Sequence, residues 1–393
     1  MNIVISPFHD YKKWENEGFR TRDAHLFQHF CKQNTGKILV INRPVTLVES
    51  LLKRKKWHIK TGTMIKKTFN YCLTKVDNDV YVLDILSFDN LGVIVYKKKW
   101  WDKVFRRKNT AKIIQICLKL LNMENDFVLL LQNPMAVGLN MYLNPSKFIF
   151  DGIDNWLEHP QMKDLHKNVE KNYRYIDETA NVITSVSKTL LNVFSKNQNK
   201  YFIHNGVDLS YYKKGLSNGH FPIRTVGYVG KIQDRFDFEL LCMLAKQHPN
   251  IEFRVAGPIL SGKDWVKRIK REENNVLFLG NVNYECLPDF LGEVDICIMP
   301  HIVNSFSNSM NPLKVYEYLA CGKVVVSTNV AGIEGISPYV FSASKKDFLA
   351  LFDSIITKAL PDAHDVVNSI PSEYYWENIA NRFIALMEYN NEA

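Results

Sequence analysis

Short runs of β-branched and aliphatic residues recur along this chain, each followed by a stretch whose apolar residues return at helical spacing, and few folds accept that alternation. The runs in the first half are 2–6, 37–42, 80–86, 127–132, 147–150, 182–185 and 201–204. They are nearly continuous in apolar character, as strands covered on both faces are. Stretches 22–32, 110–121 and 161–180 between them carry the helical period. Strand followed by helix, repeated, is the pattern of a doubly wound parallel sheet.

The alternation breaks once. Residues 205–222 gather Asn, Gly, Asp, Ser and Pro with no sustained apolar period, which marks a boundary. Beyond it the pattern resumes, with strands expected at 225–229, 251–256, 276–279, 295–299 and 324–327 and helices at 237–247, 265–272, 285–291 and 312–321. A chain of 393 residues exceeds what one core usually serves. Two Rossmann-like α/β domains are therefore expected, 1–205 and 206–375. The last stretch, from 376, carries Ile379, Phe383, Ile384 and Met387 on one helical stripe, and residues 376–393 are expected to return to the first domain.

Charge divides along the same boundary. Residues 1–205 hold 32 Lys and Arg against 19 Asp and Glu, and the remainder holds 18 against 22. The first domain is thus expected to meet something anionic, whereas the second must bind any anion by local design. The seven cysteines are scattered, with no Cys-x-x-Cys pair, which speaks against a disulfide framework or a zinc site. No apolar run approaches a membrane span, and 2–6 is too short for a signal segment. The expected location is cytoplasmic, with peripheral contact at the inner face of the membrane.

The most informative segment is Asn311-Pro312-Leu313-Lys314-Val315-Tyr316-Glu317-Tyr318-Leu319-Ala320-Cys321-Gly322. Asn as N-cap, Pro in the first turn and Gly past the end write both helix termini into the sequence. Small polar residues precede it, from Ser305 to Ser309, leaving backbone N–H groups for an anion. Lys314 in the first turn opposes the helix dipole and becomes favourable when a diphosphate lies between them. Glu317, on the same face, can accept the two hydroxyls of a ribose. An ordinary i,i+3 surface pair is the plain alternative.

Taken with YVGKIQDRFDFELL, FRVAGP, LFLGNV and IHNGVD, this segment resembles the bacterial GT-B glycosyltransferases of surface polysaccharide synthesis, the family 4 or group 1 enzymes. The likeness covers most of 147–390. It implies two Rossmann-like domains facing a central cleft, a nucleotide-sugar donor on the second and an acceptor on the first. It further implies that Gly230 and Lys231 lie near the diphosphate, with Arg235 as a second cation, and that Gly257, Asn281, Ser309, Asn311, Pro312, Leu313, Lys314 and Glu317 complete the donor site. No cofactor or metal is implied, because helix N-termini and Lys or Arg can hold the leaving diphosphate.

One departure matters. Many retaining members carry a second Glu eight residues before the position of Glu317, and here that position is Ser309, so the stereochemical course stays open. An inverting enzyme needs a base near the acceptor. Asp154 and Asp151, following the run 147–150, are the first candidates, and Asp23 is another; each could equally cap a turn or helix. Gly18, Arg22 and His25, between the first strand and the following helix, are candidate acceptor contacts.

Two basic clusters, 53–57 and 97–101 with its continuation 106–108, interleave cations with Trp, as polyanion or membrane-surface patches do. A lipid-linked or polymeric glycan acceptor would suit them. Transfer to a hydroxylated DNA base would also use a basic first domain. A nucleotide-sugar-binding scaffold without chemistry is the non-enzymatic alternative. Asp77-Asn78-Asp79 has the form of a metal-binding Asp-x-Asp but precedes a strand and reads as a turn. No Gly-x-Gly-x-x-Gly supports a dinucleotide oxidoreductase.

Overall fold

The computed structural model describes residues 1–34, 36–52 and 57–389. The chain divides into two compact units, Met1–Ile203 with the stretch from Ala380 onward, and His204–Ile379.

The first unit is built on β1 (Ile3–Ser6), β2 (Ile38–Ile41), β3 (Val45–Thr46), β4 (Thr63–Lys67), β5 (Tyr71–Asp77), β6 (Val80–Ser87), β7 (Val128–Leu131), β8 (Lys147–Gly152), β9 (Val182–Ser185) and β10 (Lys200–Phe202). Their order is β10-β9-β8-β7-β1-β2-β6-β5-β4, with β3 beside β6. β1 pairs in parallel with β2 and β7, setting Ile3 against Ile38 and Val128. Every residue of β1, β2, β7 and β9 is buried, as central strands covered by helices on both faces require. Helices Arg22–Gln33, Lys108–Leu120 and His166–Thr179 supply the cover. Phe383, in the closing helix Trp376–Glu388, is fully buried against Phe30 of this unit, the ring centroids 6.1 Å apart.

β4 and β5 form an antiparallel hairpin at the sheet edge that the sequence pattern did not suggest. All five residues of β4 are exposed, so no core imposes an apolar alternation on it. Asp77-Asn78-Asp79 is the turn between β5 and β6, with Asp77 Oδ1 accepting from Asn78 N. The basic segment 53–56 lies outside the described residues.

The second unit has β11 (Thr225–Val229), β12 (Glu252–Ala256), β13 (Val276–Gly280), β14 (Ile296–Met299), β15 (Val325–Thr328) and β16 (Val340–Ala343), all parallel in the order β13-β12-β11-β14-β15-β16. Ile296 and Ile298 of β14 join one core with Phe238, Leu241 and Phe352, and the alternate residues Cys297 and Met299 join another with Tyr316 and Leu319. The sheet is therefore packed on both faces, and the carboxyl ends of its strands share one edge, where ligands of open α/β sheets bind. β16, an edge strand of partly exposed residues, was absent from the sequence reading for the same reason as β4.

Candidate functional site

At that edge of the second unit three glycines form a floor. Gly230 follows β11, Gly257 follows β12 and Gly280 ends β13. Gly230 N donates to Ala256 O at 2.9 Å and Gly257 N to Gly280 O at 2.6 Å. Gly230 has φ +146° and Gly257 φ +143°, backbone that side chains with a Cβ rarely adopt. A Cβ on Gly257 would meet Gly230 O at 1.9 Å, and one on Gly230 would meet Lys314 Cε at 2.0 Å. Lys314 thus lies directly across Gly230.

The helix Leu313–Ala320 is anchored from below. The hydroxyl of Tyr318, buried, accepts from Val229 N at 2.8 Å and donates to Val229 O at 3.2 Å, fixing the helix to the last residue of β11. The cap differs from the expectation. Pro312 occupies the N-cap position, and Asn311 stands one residue outside. Proline at the cap removes a side-chain acceptor, so the first N–H groups of the helix have no side-chain partner at that position. Asn311 instead ties loops together: its Oδ1 accepts from Asn205 N and the Tyr316 hydroxyl, and its Nδ2 donates to Gly332 O.

Around Gly230 the structure gathers a positive cluster. Lys314 Nζ lies 5.5 Å from the centroid of the Tyr228 ring. The Tyr228 hydroxyl is 3.2 Å from His301 Nε2. Burial, then the charges of Lys314 and Arg235, hold the His301 imidazole well below its ordinary pKa, so His301 is neutral there. Burial lifts the Tyr228 phenol to about 12 although Arg235 draws it down. Arg235 Nη1 reaches Met310 Sδ at 3.5 Å, and its Nε is buried without a hydrogen-bond partner. A buried guanidinium donor left unmatched costs free energy until an acceptor arrives, and an anion above Gly230 would be such an acceptor.

Glu317 sits among phenols. Its charge contributes to the raised pKa of Tyr211, Tyr212, Tyr284 and Tyr318, each of which burial raises first. Tyr211 and Tyr284 stack at 4.7 Å and 11°. Asn281 is exposed just past β13, Lys231 is half-buried after Gly230, and Leu313 is half-buried at the helix start. The Ser309 hydroxyl donates to Phe306 O at 2.7 Å and the residue is buried, so its proton is engaged inside its own loop. A cavity of about 790 Å³ adjoins the cluster through His301, with Phe236, Trp265 and Asn329 in its wall. Sequence reasoning passed over Tyr228 and gave His301 no role, although the strand-Pro-His order was legible.

In the first unit three candidates turn inward. Asp151 is wholly buried, bound by Arg22 Nε and Nη2 at 3.0 Å each, Gln132 Nε2 at 3.1 Å and Thr184 Oγ1 at 2.8 Å. Two forked guanidinium bonds make this an interior ion pair, which removes Asp151 as a base and Arg22 as an acceptor contact. His25 is buried in its helix. Gly18, at φ +78°, ends the helix Tyr11–Glu17 with its N–H on Trp14 O, a capping task. Asp154 remains half-buried after β8.

Asp23 is also buried, and its place is more informative. Its Oδ2 accepts from His9 N at 2.7 Å and Trp14 Nε1 at 3.1 Å, and its Oδ1 lies 3.3 Å from His9 Nδ1. Burial pushes the Asp23 carboxyl up, but His9 outweighs it and holds the pKa below the ordinary value. An ionised carboxylate only accepts, so His9 Nδ1 carries the hydrogen of that contact. His9 lines a cavity of about 220 Å³ at the carboxyl end of β1, with Lys13, Arg43 and Asn133. Among the described residues no group of three or more His, Cys, Asp or Glu converges to hold a metal.

Residues 223–357, which contain the glycine floor and the cationic cluster, match the family of group 1 glycosyl transferases. A curated relative, the teichuronic acid biosynthesis glycosyltransferase TuaH of Bacillus subtilis, is 28% identical over 168 residues, 40% of this chain and 42% of that protein. The match therefore spans less than half of the relative. Among solved structures, sucrose-phosphate synthase from Thermosynechococcus elongatus superposes with TM-score 0.65 at 14% identity, covering 98% of this chain and 97% of that one. Anabaena HepE in complex with UDP-glucose gives 0.62 at 13%, covering 98% and 99%. Residues 223–357 thus resemble a group 1 glycosyltransferase domain, and the chain has the GT-B fold of these solved structures.

Proposed function

We propose that this chain transfers a sugar from a nucleoside-diphosphate sugar to an acceptor hydroxyl, with the second unit holding the donor. The observation that carries this reading is the unmatched Arg235 Nε, which with Lys314 acts on His301, near glycines whose added Cβ would strike the Lys314 stem or Gly230 O. A diphosphate brings two to three negative charges and many acceptor oxygens, and closes that deficit. HepE, solved with UDP-glucose, supports a uridine donor. The name of TuaH supports a cell-surface glycan acceptor, lipid-linked or polymeric.

The transfer is metal-independent in this reading, Lys314 and Arg235 taking the charge that builds as the sugar–phosphate bond breaks. His9 is the group in the first unit fit to receive the acceptor proton. The acceptor oxygen bonds the anomeric carbon, the bond from that carbon to the phosphate oxygen breaks, and the hydroxyl proton passes to His9 Nε2 while Asp23 holds the ring. Ser309 at the place of the second Glu agrees with an inverting course. Glu317 grips the ribose.

Calorimetric titration with UDP, GDP and dTDP tests the donor site. One diphosphate should bind with EDTA present, and Lys314→Ala or Arg235→Ala should weaken it about tenfold to a hundredfold. Failure of all three nucleotides to bind would overturn the reading. Hydrolysis or transfer of radiolabelled UDP-sugar separates an enzyme from a binding scaffold, and duplex DNA offered as acceptor tests the DNA-modifying alternative.

A further inference from the structure

The basic segment 97–101 singled out in the sequence does not present its tryptophans. Trp100 is fully buried with Nε1 on Asp89 Oδ2 at 2.7 Å, and Trp101 is half-buried beneath Arg43, whose guanidinium lies 4.8 Å from the ring centroid. What is exposed lies immediately before it. The helix Asn90–Tyr96 carries no charge, and Gly92 is its sole buried residue. Leu91, Ile94 and Val95 are each more than half exposed. A seven-residue helix is marginal in water without an apolar face packed on something, so this helix has an unmet requirement.

Its surroundings extend the same surface. Phe88, just ahead of the helix, is more than half exposed and lies 5.9 Å, centroid to centroid, from Phe69 at the turn between β4 and β5, more exposed still. Val48 N donates to Asn90 Oδ1 at 3.2 Å, tying in the helix Leu47–Leu52, which ends on the exposed Leu51 and Leu52. The rim is cationic. Lys97, Lys98 and Lys99 follow the helix directly and are exposed, as are Lys66 and Lys67 at the end of β4. The nearby carboxylates are matched within the fold, Asp89 by Trp100 and Arg107 and Asp102 by Arg106 and Asn172. The exposed Asp77 and Asp79 sit at the far end of β5.

We propose that this surface docks the first unit on an anionic phospholipid bilayer, with Phe69, Phe88, Leu91, Ile94 and Val95 entering the headgroup boundary. The flanking lysines lie against lipid phosphates. Apolar tips ringed by lysines, with the acids withdrawn, match a surface that offers hydrocarbon beneath fixed negative charge. A soluble polyanion would match the lysines and leave the apolar residues in water. The proposal stands independently of the donor chemistry.

Co-sedimentation of the full chain with phosphatidylcholine vesicles, with and without phosphatidylglycerol, tests it. The expected result is binding to the anionic vesicles alone, weakened by added salt. Leu91→Glu with Ile94→Glu, and separately K97A/K98A/K99A, should each reduce that binding about tenfold or more. All these side chains are exposed, so thermal melting and UDP titration should match wild type. Equal sedimentation of wild type and both variants, or none by wild type, would overturn the proposal. So would a wild-type dimer that Leu91→Glu dissociates, since a second copy would then be what covers the face.

Discussion

At Gly230 the proposed anion site rests on the absence of one carbon. The left-handed backbone and the Lys314 stem 2.0 Å from any added Cβ are separate obstacles. The stem is flexible and moves aside; the backbone conformation does not relax so easily. Gly230→Ala should therefore fold with about 1–3 kcal/mol less stability and displace Lys314 from the anion position. UDP affinity should fall at least as far as in Lys314→Ala, and a calorimetric titration showing wild-type affinity would sink the argument. His301 offers a reporter of the same cluster. In the unfolded chain a histidine takes its proton near about pH 6.5. Burial and two neighbouring cations depress the folded value, so the unfolded state binds the extra proton, and stability falls as pH drops below about 6.5 toward the folded pKa. His301→Gln should flatten that limb. A bound diphosphate cancels part of the field of Lys314 and Arg235, so the His301 pKa should rise on adding UDP. Histidine NMR titration with and without nucleotide checks it, and an unchanged pKa in the saturated protein would show that the anion binds elsewhere.

At the scale of the element, the helix Leu313–Ala320 owes its placement to one hydroxyl. Tyr318 bonds both the N–H and the C=O of Val229, the residue that delivers Gly230. Tyr318→Phe keeps the ring packing and removes both bonds to the half-buried Val229 backbone, which should cost about 1–3 kcal/mol and lower UDP affinity with little change in helix content. Denaturant melts and titration read both. This helix was legible in the sequence because Pro312 and Gly322 bracket it and its apolar positions recur at the right spacing. The identity of the cap was not, since Asn and Pro compete for it, and only the demand of Asn205, Tyr316 and Gly332 for Asn311 decides the contest. Asp151 and Asp23 were read as reagents for a related reason. A carboxylate at the end of a strand looks the same in sequence whether it faces a substrate or a buried arginine. Asp154 alone of the three keeps partial exposure, and His9, which Asp23 orients, was invisible because the pair is made across fourteen residues and a helix. If His9 takes the proton, His9→Ala should cut kcat about a hundredfold or more and leave UDP binding intact. Added imidazole should restore part of the rate, and the product anomer, read by NMR, should be inverted. A retained anomer with near-wild-type kcat would assign the proton elsewhere.

For the whole molecule, the two alternating sheets were readable because central strands buried on both faces leave an unbroken apolar mark, whereas β4, exposed throughout, and β16, partly exposed, leave almost none. The return of the chain end was readable from the stripe of Ile379, Phe383, Ile384 and Met387, and the structure gives it an energetic meaning. The closing helix begins in the second unit and ends in the first, with the division at Ala380. Phe383 is fully buried, with the Phe30 ring beside it and the Arg22 guanidinium 5.5 Å from its centroid. Arg22 is the partner of Asp151, so Phe383 also shields an interior ion pair from water. Phe383→Ala should cost about 3–5 kcal/mol, more than the cavity alone if water reaches the pair. That loss falls on the first unit, while the glycine floor, Lys314 and Arg235 belong to the second. Calorimetry of the variant should show one transition shifted down and another near its original temperature, the latter still raised by UDP through mass action. A single transition moving as a whole, with UDP stabilisation lost, would mean that the units unfold as one and that the donor site depends on the first unit for its integrity.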